Sequence, residues 1–435
     1  MKWAIVCCVG VLLAWALVAG RLGRWRITAP MVMVLGGMII GLAGLAVQAG
    51  AVGAVASGGD QLPETVDLAI VTTVLNNPLA ERIAELILAL VLFVDSFEIR
   101  RGVFGHEPAL AARLLALALP ASLLLGYALG LFLFPHLAPA VVLVLVCAVM
   151  PTDLGVAAGV LRDERLPERV RNVLNVESGY NDGFVAPVFV FALTLAGSTS
   201  HASSPQQALE EAVPASLIAI GVGAAVGGIA GLLMRVSAAR DLTTTHALRF
   251  GVVCIPLLTY ALAALAHGNG FVATFVAGIA FRAARGEVAH REVGLSEDVA
   301  ALTSYVMWFV LGVCAVLVIG LTSWQAWVFG LAALTVLRIV PVLGALLGST
   351  LSWSDRWLVA LLGPRGTATI VFALLAFYEF AGEEEQMLAL STMTVAVIGS
   401  FLLHGLGSGF VAERYARRAA RPGPVEKAST TVAPD

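Results

Sequence analysis

Asn172-Val173-Leu174-Asn175-Val176-Glu177-Ser178-Gly179-Tyr180-Asn181-Asp182-Gly183 runs straight into Phe184-Val185-Ala186-Pro187-Val188-Phe189-Val190-Phe191. The stretch from Asn172 to Ala196 is long enough to cross a bilayer, and its second half is apolar enough to do so. Its first half nevertheless carries two carboxylates. An ionisable side chain at bilayer depth costs at least ~2.5–3.5 kcal/mol, so it is seldom there without a task. Two acids this close, beside a serine and an asparagine, mark a site for a cation or a proton.

The rest of the chain agrees with a membrane setting. Of its 435 residues 59% are hydrophobic and only 13% charged, against about 25% charged in a soluble domain. Mean hydropathy is +0.92. At about 20 residues per span, the reading is an all-α polytopic membrane protein of about thirteen transmembrane helices. The spans fall at 3–20, 27–49, 81–99, 109–134, 139–161, 172–196, 213–234, 250–267, 269–283, 299–319, 323–349, 357–380 and 387–411.

Basic residues gather in cytoplasmic loops, which fixes the orientation. With the N-terminus outside, Lys2 and Arg82 fall outside, and Arg338 and Arg365 fall within spans. The rest of the 26 lysines and arginines collect inside, from Arg21, Arg24 and Arg26 to Arg414, Arg417, Arg418, Arg421 and Lys427. Residues 1–411 thus form the transmembrane domain, and 412–435 a short cytoplasmic tail with few apolar residues after Arg421. The first twenty residues have the outline of a signal peptide. Cleavage there would break the alternation of charge downstream, so they read as a retained first span. The cysteines Cys7, Cys8, Cys147, Cys254 and Cys314 sit in apolar segments at no metal-ligand spacing and read as small hydrophobes. No basic patch interleaved with aromatics speaks for nucleic acid.

Two spans contain helix breakers at mid-depth: Pro151-Thr152-Asp153-Leu154-Gly155 in the fifth and Gly363-Pro364-Arg365-Gly366-Thr367 in the twelfth. Broken backbone survives in a membrane only where protein or a cavity satisfies its polar groups. The two breaks lie seven spans apart, so spans one to six and eight to thirteen read as two inverted six-helix repeats. Discontinuous helices at matching positions of such repeats point to a secondary transporter's binding site.

The ionisable residues at depth are Asp95 and Glu98 in span three, Asp153, Glu177, Asp182, Arg338 and Arg365. Ser178 and Asp182 lie four apart and share a helix face; Glu177 and Asn181 form the neighbouring stripe. The expectation is that Glu177 pairs with Arg365 and leaves Asp182 free to titrate. Asp153 is open to two readings, an ion ligand or a cap on the broken helix. Arg338 precedes Ile339-Val340-Pro341 and reads as satisfying carbonyls freed at that proline. His404 reads as a single interhelical hydrogen bond, His267 and Asn269 as turn residues, and Glu383-Glu384-Glu385 as a solvated outside loop.

With these residues in view, the sequence resembles the monovalent cation/proton antiporter family, in its sodium/proton exchanger branch. Pro151-Thr152-Asp153 is similar to the family's PTD signature. Leu166-Pro167-Glu168-Arg169, followed by Glu177-Ser178 and Asn181-Asp182-Gly183, resembles its LPER…ES..NDG segment. Gly363-Pro364-Arg365-Gly366 and His404-Gly405-Leu406 resemble two further motifs. Gly179-Tyr180 departs from the usual bulky aliphatic pair, and Gly407 stands where threonine is usual. The resemblance implies Asp182 as the shared cation and proton site, with Ser178 and Thr152 as ligands of the transported Na⁺. It implies Asp95 as the acid of span three, the Glu177–Arg365 pair, a homodimer in the cell (inner) membrane, and no cofactor. With Asn181 neutral beside Asp182, it implies one-for-one electroneutral exchange.

The expected activity is exchange of Na⁺, and of Li⁺, for H⁺ by alternating access. K⁺ would accept the same oxygen donors. Two other classes use buried acids. A cation channel would pass voltage-driven current. An intramembrane aspartyl protease would need Asp153 and Asp182 as a dyad, but no Gly-x-Gly-Asp segment is present.

Overall fold

A computed structural model describes residues 2–25, 27–56, 78–98, 107–157, 163, 165–197, 205–286, 290–407, 413 and 415. The outside connection at 57–77, His201, Ser203, Ser204, several loop arginines (Arg26, Arg100, Arg101, Arg162) and most of the tail lie outside these residues. Every regular element among them is helical, and each of the thirteen expected spans has a helical counterpart. Among the described residues, nine helices are long and apolar enough to cross a membrane, with Pro139–Val149 and Thr367–Glu379 as shorter apolar helices. The chain is a multi-pass membrane protein.

The helix faces follow their surroundings. The first span, Lys2–Arg24, turns Ile5, Val9, Leu13 and Leu17 outward, which suits a helix bathed in lipid. The third span, Pro78–Glu98, carries Glu81, Arg82, Glu85 and Asp95 yet buries Leu88, Ala89, Leu92 and Phe93 completely. Protein rather than lipid surrounds it from Ile87 on, while Leu79, Ile83 and Leu86 of its first half stay exposed. Asn269 caps the ninth span by accepting from the amides of Phe271 and Val272, at 3.0 and 3.2 Å.

Packing gathers the helices into two groups that also meet along a seam, six on seven and nine, and ten on twelve and thirteen. Spans one, two, seven, eight, nine and ten contact one another; so do four, five, six, eleven, twelve and thirteen. Span three touches both groups. Within the first group the second and tenth spans cross backbone to backbone. A side chain at Gly37 would overlap the carbonyl of Phe309, and one at Gly312 that of Val34.

The neighbours also repeat with an offset of seven. Span two packs on ten as nine packs on three; five on six as twelve on thirteen; three on six as ten on thirteen. That pattern is consistent with two inverted six-helix units.

Both broken spans are discontinuous as expected. In the fifth, helix Pro139–Val149 gives way to a non-helical Pro151-Thr152-Asp153 and then a short 3-10 turn at Leu154–Ala157. In the twelfth, Trp353–Leu361 and Thr367–Glu379 flank a non-helical link. The eleventh also breaks, at Thr335, between Trp324–Leu334 and Val336–Ala345.

Candidate functional site

The two unwound links meet each other and the first half of span six, Glu168–Ala196. Asp153 makes the junction. Its amide donates to the Pro364 carbonyl at 2.8 Å, while its carboxylate accepts from the amides of Gly155 (2.7 Å) and Thr367 (2.8 Å). One side chain thus satisfies the first amide of the second half of span twelve and one in its own link. A carboxylate facing a helix N-terminus is also favoured by the helix dipole. The capping alternative for Asp153 accounts for both carboxylate oxygens.

Span six holds the fifth-span link from the other side. Asn181 donates its amide to the Thr152 carbonyl at 2.9 Å and bonds the Thr152 hydroxyl oxygen. Ser178 donates its hydroxyl to the same carbonyl at 3.2 Å and accepts from the Leu154 amide at 3.0 Å. Thr152, Ser178 and Asn181 therefore form one bonded cluster. Ser178 and Asn181 lie three apart and reach the same link, although the four-residue spacing assigned them to separate stripes.

Asp182 follows Asn181 and is 2% exposed. Its Oδ1 and the Oδ1 of Asn181 have no hydrogen-bond partner in the protein. A buried acceptor left unmatched costs about 1–3 kcal/mol, and a proton or a small cation can satisfy such an oxygen. Asp95 stands half-buried near the end of span three.

The arginines are arranged otherwise than expected. Glu177 accepts a two-bond fork from Arg338, at 2.6 Å from Nη1 and 3.0 Å from Nη2. Arg338 Nη2 also donates to the carbonyls of Val359 and Leu362, each at 3.1 Å, at the end of the first half of span twelve. It satisfies carbonyls freed by a break, but those of span twelve rather than at Pro341. Arg365 instead donates Nη2 to Ala333 O at 2.6 Å, beside the break in span eleven, and its Nε and Nη1 stay unmatched. Each arginine thus serves the other's span. Gly363 makes room for Arg338, because any side chain there would overlap its guanidinium.

His404 makes the expected interhelical bond, to Leu361 O at 3.0 Å, and lies 3.4 Å from Ser400. Ser400 accepts from the Arg365 amide at 2.7 Å. Glu384 is paired with His136 at 2.9 Å on the surface.

Two broken spans clamped by one aspartate, against a buried unmatched carboxylate, have the form of a secondary transporter's centre. The profile of the family described as "Sodium/hydrogen exchanger, transmembrane" matches residues 8–414. The chain belongs to this family. As a sodium/hydrogen exchanger family member it is by class a cation/proton antiporter rather than an enzyme. Its fold is also that of a solved relative, the sodium proton antiporter MjNhaP1 from Methanocaldococcus jannaschii. The structure of that protein at pH 8 superposes with a TM-score of 0.72 at 18% identity, covering 95% of this chain and 99% of the other. A second structure of it, from an electron-microscopy map, gives 0.65 at 18% identity, covering 97% and 100%. Among curated proteins none matches the sequence significantly.

Proposed function

We propose that this exchanger carries Na⁺, with Li⁺ as a second substrate, against H⁺ by alternating access, both competing for Asp182. One observation carries the reading: the Asp182 carboxylate is buried with an oxygen that no protein donor satisfies. A hard cation favours oxygen donors. The Thr152 and Ser178 oxygens beside it and Asp95 from span three complete the proposed ligand set. Asn181 positions Thr152 by its two bonds. Asp153 holds the two links in register.

Competition for one carboxylate gives obligatory exchange if the site turns over only when a proton or a cation occupies it. Asn181 adds no second carboxylate beside Asp182, which supports one-for-one, electroneutral exchange. Alternating access then moves one helix group against the other. The N-terminus lies outside, the tail inside, and two copies form a homodimer.

The deciding experiment reconstitutes the protein in liposomes with a pH gradient and adds Na⁺, Li⁺ or K⁺ separately. Gradient collapse with Na⁺ and Li⁺, without membrane potential, is expected. Collapse with K⁺ alone would make the chain a K⁺/H⁺ exchanger, and a voltage-driven current would make it a channel.

A further inference from the structure

Trp308 is a residue that the exchange cycle described so far does not use. It lies in span ten, is 1% exposed, and is among the largest fully buried side chains. A buried indole N–H usually finds a hydrogen-bond acceptor, but it need not reach across a helix seam to do so. This one does, donating to the Thr367 hydroxyl at 3.2 Å. Its ring also packs edge-on against Phe401 of span thirteen, with centroids 5.9 Å apart.

The two ends of this bond are fixed to different groups of helices. Next to Trp308, the carbonyl of Phe309 lies against Gly37 of span two, in the crossing that joins spans two and ten. Thr367 opens the second half of span twelve, and its amide is held by the Asp153 carboxylate at 2.8 Å. Asp153 in turn reaches the Pro364 carbonyl. The chain Trp308, Thr367, Asp153, Pro364 therefore runs from one group into the crossing of broken spans beside Asp182.

We propose that the Trp308–Thr367 hydrogen bond is a catch between the two helix groups. It holds the arrangement seen here, and its strength sets how the protein divides its time between its inward- and outward-facing states. The inference rests on the alternating-access reading above. A hydrogen bond is directional and short-ranged, so sliding span ten past span twelve breaks it, whereas apolar contacts can re-form at a new register. A contact present in only one of two states biases their equilibrium by its own net strength.

The test uses full-length protein in proteoliposomes, with apparent cation KM measured from each side of the membrane. Trp308→Phe keeps a ring but loses the donor; Thr367→Val loses the acceptor but keeps the amide for Asp153. Each should change the ratio of the two one-sided KM values about 2- to 10-fold, in the same direction. The double variant should go no further, and Thr367→Ser should keep the wild-type ratio. Additive effects, an unchanged ratio, or a serine variant behaving like valine would overturn the catch.

A second measurement needs no transport. Protein labelled with 5-fluorotryptophan gives a fluorine resonance for Trp308, one of eight tryptophans, assigned by its loss in Trp308→Phe. Two environments whose proportions change between acidic buffer and Na⁺, and which merge in Thr367→Val, support the catch. One position indifferent to both refutes it. If wild-type vesicles show no exchange, the functional reading fails while the fluorine spectrum still judges the bond.

Discussion

Arg338 and Glu177 form a buried two-bond fork, 2.6 and 3.0 Å, between spans eleven and six. The guanidinium also closes two carbonyls at the break of span twelve, so one arginine ties three helices together. Removing one member of a buried pair leaves an unpaired charge and costs about 3–5 kcal/mol. Arg338→Ala and Glu177→Gln should therefore lower the thermal midpoint of the detergent-solubilised protein strongly. Arg338→Lys should recover only part of the loss, since an ammonium cannot reproduce the planar fork. A midpoint unmoved by Arg338→Ala would contradict the structural role.

Asp153 presents a different balance. Asparagine there has one carboxamide oxygen where two amides, those of Gly155 and Thr367, now each find an acceptor. Losing the acceptor of the part-buried Thr367 amide costs about 1–3 kcal/mol, whereas the exposed Gly155 amide can turn to water. For Asp153→Asn the expected result is slower maximal exchange and lower stability, with cation KM within about twofold of wild type. A KM raised tenfold or more would make Asp153 an ion ligand. One-sided KM values and thermal melts on the same preparation separate the two roles.

What the sequence could tell follows from how local each feature is. The membrane-spanning helices and the breaks at Pro151 and Pro364 show in apolar runs and breakers a few residues long. Bringing Asp153 to Thr367 and Asn181 to Thr152 requires only that the two breaks and span six meet. Choosing between Arg338 and Arg365 for Glu177 was beyond helix periodicity. Both arginines lie near breaks, and the room for Arg338 is made by a notch at Gly363, two residues from Arg365 in the link of span twelve. Trp308 was equally hidden, since its donor N–H does not distinguish it from any core aromatic until Thr367 is placed opposite.

Gly183 offers a test of the seam between the helix groups. It directly follows Asp182, and a side chain there would run into the ring of Phe275 from span nine. Tyr180 and Phe184 flank the same ring edge-on at 5.5 and 6.3 Å. Overpacking of a filled site costs about 1–3 kcal/mol. Gly183→Ala should slow exchange at least several-fold, and the added change Phe275→Leu should restore most of it. Neighbours in contact couple in this way, whereas independent sites add. If Phe275→Leu simply worsens Gly183→Ala, the collision is not what limits the variant.

Asp182 carries the proposed exchange, and two results bear on it. Asp182→Asn keeps the shape and removes the titratable charge, so Na⁺-driven proton flux should fall to that of empty liposomes. In the wild type, competition for one carboxylate fixes the sign of the pH dependence. Protons occupy the site as pH falls, so apparent KM for Na⁺ should rise about tenfold for each pH unit below the site's own pKa, with maximal rate at saturating Na⁺ unchanged. Above that pKa the KM should level off. Initial rates over a matrix of pH and Na⁺ concentration give both quantities. A KM independent of pH, or exchange retained by Asp182→Asn, would move proton and cation to separate groups.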